Sequence, residues 1–178
     1  KNERRIKVAE EIKKQLEEMG IHVISSNLEG DSVDIPAVAA ITSPVRDKST
    51  KYIVDLGGND VGTMVLGRLK PLLDSAETDF LMVVNVNRPD TSSPEGILRE
   101  MKSIEDASGL KVTGFVNNTN LIRETTAEDI TMGDKILKEA SKLSGVPIKY
   151  TTYVEEVVKD AEKLPDDLGG ELFPLKFY

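Results

Sequence analysis

Apolar positions along this chain repeat at two different periods. Ile6, Ala9, Ile12 and Leu16 stand three and four residues apart, the spacing of one helical face, and Gly20 marks a stop. Val61, Val65, Leu69 and Leu72 repeat that spacing. "SPEGILREMKSIEDAS" opens with Ser93 as a candidate N-cap, Pro94 at the first helical position and Glu95 in the first turn. "TAEDITMGDKILKEASKLSG" reads as a helix that Gly145 ends, with Thr126 and Asp129 in a capping-box-like pair. "YVEEVVKDAEKL" reads as the last helix, with Pro165 just beyond it.

Short apolar runs lie between these segments. "IHVIS" (Ile21–Ser25), "YIVDL" (Tyr52–Leu56), "DFLMVVNVN" (Asp79–Asn87), "LKVTGFVNN" (Leu110–Asn118) and "VPIKYT" (Val146–Thr151) each read as a strand. "DFLMVVNVN" is too continuously apolar to carry a wet face. Strands of this kind, alternating with amphipathic helices, predict an α/β fold: a doubly wound, mostly parallel sheet with helices on both faces. A length of 178 residues suits one domain, residues 1–178.

Such a sheet binds ligands beyond the carboxyl ends of its strands. The tips expected there are Asp55, Gly57, Gly58, Asn59 and Asp60; Asn85, Asn87 and Arg88; Asn117, Asn118, Thr119 and Asn120; and Thr151 with Thr152. Asp55 directly follows an apolar strand, where a carboxylate can hold a Mg²⁺-bound water beside a nucleotide phosphate. Gly57 and Gly58 would let backbone N–H groups approach a terminal phosphate, or would simply make a tight turn. Asp60 suits an N-cap for the next helix. An Asn at 117 or 118 can read the donor–acceptor edge of a purine base; in isolation a turn that pairs its own backbone explains it better.

Charge narrows the partners. The net charge of −8 argues against direct nucleic-acid binding, and the basic start "KNERRIK" is followed at once by acidic residues, as on a solvated helix face. No apolar run approaches the roughly 18 residues that span a bilayer. With no Cys, the chain has no disulfides and no thiolate metal site, which fits a cytoplasmic location. His22 is the single His and reads as an ordinary strand residue. The aromatics of "LFPLKFY" read as docking on the domain.

"YIVDLGGNDVGTMVLGRL", "FLMVVNVNRPDTSSPEGI" and "GLKVTGFVNNTNLIRETT" together resemble the CobQ/CobB/MinD/ParA class of P-loop NTPases, closest to bacterial MinD-like ATP-binding proteins. The likeness covers most of residues 33–178. It implies ATP and Mg²⁺ as ligands, ATP hydrolysis, and a nucleotide-dependent homodimer. Asp55 would take the Walker-B role, both catalytic and metal-holding. Gly58, beside Gly57, would be the switch glycine that senses the γ-phosphate. Asn117 or Asn118 would read the base.

The same resemblance implies a phosphate-binding loop, yet no G-x-x-x-x-G-K-[ST] occurs in the 178 residues. The expectation is that a first βα unit carrying it precedes Lys1, and that these residues alone hydrolyse ATP poorly or not at all. The alternative is a non-catalytic module that keeps the sheet and binds a protein partner, as yet unknown, through its strand-end loops.

Overall fold

A computed structural model describes residues 11–23, 49–56, 66–67, 69–71, 73, 78–158 and 164–177. The chain divides into two compact units, Lys1–Ile53 and Val54–Tyr178. In the first unit, residues 11–18 are helical and Gly20, at φ 80°, ends them. The stop is a Schellman motif, in which Gly20 N–H donates to Glu17 and Ile21 N–H donates to Leu16. His22 follows in exposed irregular chain, so the described part of "IHVIS" is not a strand.

The second unit is an α/β fold. Its elements, numbered from the first strand, are β1 (Leu81–Val84), α1 (Pro94–Ser108), β2 (Gly114–Asn117), α2 (Ala127–Ser144), β3 (Ile148–Val154) and β4 (Glu171–Leu175). The four strands form one sheet in the order β1-β2-β3-β4, and every pair is parallel. Helical backbone also occurs at residues 66–67, 69–71 and 73, where Leu66, Leu69 and Leu73 are buried.

Both long helices begin and end as their sequences dictate. The Ser93 hydroxyl accepts from Gly96 N–H at 3.2 Å, and Gly109, in the left-handed region, returns its N–H to Glu105. Thr126 and Asp129 form a full capping box: Asp129 N–H donates to the Thr126 hydroxyl, and Thr126 N–H donates to the Asp129 carboxylate. Gly145 closes α2 with a left-handed cap.

The core lies between the sheet and these two helices. Met82 and Val84 of β1, with Phe115 of β2, pack on Ile97 and Ile104 of α1 and on Leu137 and Ala140 of α2. Pairing places Met82 beside Phe115 and Val84 beside Asn117, so these alternate residues share the helical face. Two right-handed crossovers that step the same way along a sheet put both helices on one face. Winding on both faces requires a reversal of strand order, and β1 to β4 contain none.

Among the described residues, α1 and α2 cover the same face of the sheet, and this corrects the reading of "DFLMVVNVN". Val83 points away from α1 and α2 and is 61% exposed, so β1 has a wet face after all. The sequence from Tyr52 to Leu56 also departs from expectation. No sheet ladder includes these residues, and Ile53 is 98% exposed. A strand needs a hydrogen-bonded neighbour, and β propensity cannot supply one.

The C-terminal third differs more. Tyr153 and Val154 belong to β3, and Glu155 to Val157 form a turn where a helix was expected to begin. β4 lies in the segment whose aromatics read as docking on the domain, and its Pro174 is a residue that sheets confine to edges and bulges. Parity resolves the conflict. Leu175 O accepts from Glu155 N–H on the β3 side, so the outward-facing residues of β4 are Leu172 and Pro174. The proline nitrogen therefore sits where no ladder bond is lost, and it blunts the strand's outer edge.

Candidate functional site

The carboxyl ends of β1 and β2 are tied together by neutral side chains. Asn85 Nδ2 donates to Asn120 O at 3.1 Å, and Asn85 Oδ1 accepts from Asn87 N–H at 3.0 Å. Asn120 Nδ2 donates to Asn118 O at 2.7 Å. The Thr119 hydroxyl accepts from Val86 N–H at 3.3 Å. Asn is suited to this task because each side chain supplies a donor and an acceptor to backbone that has just left a ladder.

Neighbouring residues Asn117 and Asn118 have opposite roles. Asn117 is 1% exposed; its Nδ2 donates to Ile130 O at 3.1 Å and its Oδ1 accepts from Thr119 N–H at 3.2 Å. Both ends of its amide are engaged, and it joins the tip of β2 to the first turn of α2. Gly133 of α2 leaves room for this joint. A Cβ there would lie 2.6 Å from Thr119 Cβ and 2.7 Å from Asn117 Oδ1.

Asn118 turns to the opposite face and is half-buried. Its Oδ1 accepts from the Thr152 hydroxyl at 2.8 Å, and Thr152 also reaches Asn117 O at 3.3 Å. Among the described residues, Asn118 Nδ2 donates to no group. A held oxygen beside a free N–H₂ is an oriented donor, and it can bond an acceptor on a planar heterocycle. Thr152 fixes the orientation.

Beyond β2 the chain makes a short turn (Ile122–Glu124) with an unusual backbone. Ile122 has φ 60°, a left-handed conformation that a β-branched side chain resists. Several bonds hold it there. Ile122 N–H donates to Asn120 Oδ1 at 3.2 Å, and the Thr125 hydroxyl accepts from Leu121 N–H at 2.9 Å while donating to Ile122 O at 2.8 Å.

A charged cluster lies elsewhere, between α2 and the crossover into β4. Buried Asp134 accepts from Gly169 N–H at 2.7 Å through Oδ1 and pairs with Lys138 Nζ at 2.7 Å through Oδ2. Lys138 also donates to Asp167 O at 2.5 Å, and the Thr151 hydroxyl donates to Gly169 O at 2.7 Å. The Asp134 hydrogen bond and charge hold the Lys138 amine above its ordinary pKa, partly offset by burial. An open groove of about 310 Å³ runs along Asp134, Lys138, Pro165 and Leu168. It belongs to this clamp and not to the strand tips.

Of the residues singled out in the sequence, Asn117 and Asn118 sit together at the end of β2. Asp55 is an exposed residue near the start of the second unit, so it needs no buried partner. Gly57, Gly58, Asn59 and Asp60 fall outside the described residues. Among the described residues, no group of three or more Asp, Glu or His is placed to hold a metal ion, and no helix is long and apolar enough to cross a membrane. Sequence reasoning missed the Asp134 clamp. Its signal was an acidic residue on the apolar stripe of α2, between Ile130 and Leu137.

The class defined by this geometry is an α/β protein with a parallel sheet whose carboxyl edge is lined by amides and hydroxyls. No family model, curated protein or solved structure matches the chain.

Proposed function

We propose that this chain is the nucleotide-binding part of a MinD/ParA-like P-loop ATPase, a doubly wound protein with ATP and Mg²⁺ as ligands. The observation that carries the reading is Asn118, an oriented amide at the carboxyl edge of a parallel sheet whose Nδ2 donates to no group among the described residues. Asn118 then bonds the base, and Asn117 acts only through the fold. Asp55, exposed and acidic, would hold a water of the hydrated Mg²⁺, and Gly58, which lies outside the described residues, would offer its N–H to the γ-phosphate. Bound Mg²⁺ supplies charge neutralisation for in-line attack of water. The lysine clamp of a Walker A loop is not among these 178 residues, so on this reading they turn over ATP poorly or not at all.

Calorimetry with ATP and Mg²⁺ on the complete natural protein tests the proposal. Binding weakened about tenfold or more by Asn118→Ala, the equivalent of one lost hydrogen bond, supports it. No heat and no protection from unfolding would instead favour a non-catalytic module that uses the same strand-end loops for a protein partner.

A further inference from the structure

The two described residues after β4, Lys176 and Phe177, lie against the turns that follow β3 and β2. Leu175 O accepts from Glu155 N–H at 3.1 Å, and Lys176 Nζ lies 3.9 Å from Glu155 Oε2. One residue later, the Arg123 guanidinium stands over the Phe177 ring, 4.7 Å from its centroid. Arg123 directly follows Ile122, whose backbone is held at φ 60° and whose side chain is 66% exposed.

A β-branched residue stays in the left-handed region only where its surroundings leave it no other choice. Hydrogen bonds from Ile122 N–H to Asn120 Oδ1 and from the Thr125 hydroxyl to Ile122 O supply part of that constraint, and the cation–π contact anchors the next residue. We propose that Arg123 and Phe177 form a latch that couples the segment after β4 to the Leu121–Thr125 turn. Latched, the turn keeps Ile122 strained; released, Ile122 relaxes to negative φ and the exposed Leu121–Ile122 pair swings. The latch thus makes the carboxyl edge next to Asn118 responsive to the position of the segment after β4.

Amide hydrogen exchange on the nucleotide-free protein tests this without depending on nucleotide binding. Phe177→Leu keeps apolar bulk and removes the ring; Arg123→Gln keeps a polar side chain and removes the charge. Each is expected to speed exchange about two- to five-fold both in residues 121–125 and in residues 175–177. The double variant should be no faster than either single one, because both remove the same contact. Exchange that rises only around the substituted residue, additive effects, or acceleration spread through β2 and α2 would each overturn the latch.

Discussion

The tip of β2 and the crossover into β4 solve the same problem with opposite chemistry. At the tip, backbone that leaves a ladder is paired by neutral groups: Asn85, Asn117, Thr119 and Asn120. At the crossover, a single buried carboxylate does the work, with Lys138 balancing its charge. The neutral solution leaves one amide group of Asn118 over, whereas the charged solution consumes both oxygens of Asp134. A surplus donor is available to a ligand, and a saturated carboxylate is a fastener.

The largest effect that would break this contrast is steric. Gly133→Ala drives a methyl group into Thr119 and Asn117, and unfolding in denaturant should show a loss of about 3 kcal/mol. Release of the charged fastener should come next. Asp134→Ala leaves Gly169 N–H without its acceptor and should cost about 2 kcal/mol, a figure moderated by the partial exposure of Lys138. Amide exchange in β4 should rise with it, since Gly169 leads directly into that strand; unchanged protection of Glu171–Leu175 would dissociate the clamp from the strand.

The neighbouring asparagines offer the sharpest comparison. Asn117→Ala leaves the buried Thr119 N–H without its acceptor, removes the added bond to Ile130 O and empties a buried site, and should cost about 2 kcal/mol. Asn118→Ala loses only the Thr152 contact and should stay within about 1 kcal/mol of the parent. Equal losses would erase the division between a structural and an available amide.

The smallest effect concerns pH. Lys138 is held above its ordinary pKa by Asp134, so its contribution is fully present below the unfolded lysine value of 10.5 and is lost as pH rises through the folded value. A midpoint measured across that alkaline range should fall slightly more for the parent than for Lys138→Met. An identical decline would show that the pair adds nothing to stability.

The parallel sheet and its two long helices were legible because their signals are local. Ser93, Gly109, Thr126, Asp129 and Gly145 act within one turn of chain, and the apolar spacing of α1 and α2 needs no knowledge of partners. β2 could be read the same way, since its buried residues Gly114, Phe115 and Val116 carry no polar side chain before Asn117 ends the strand. Where a signal depends on a neighbour, reading failed. Tyr52–Leu56 has the composition of a strand and no ladder; Glu171–Leu175 contains a proline and has one.

The candidate site divides along the same line. Sequence alone placed two asparagines at a strand tip, because strand length and the following turn set that position. It could not separate Asn117 from Asn118, since successive residues of a strand point to opposite faces and only the placement of α2 decides which face is buried. Nor could it show that Asp134 meets Gly169, or that Arg123 meets Phe177, across 35 and 54 residues of chain. Contacts of that separation exist only after β2, β3 and β4 have paired, and no local periodicity encodes which side chains the pairing will bring together.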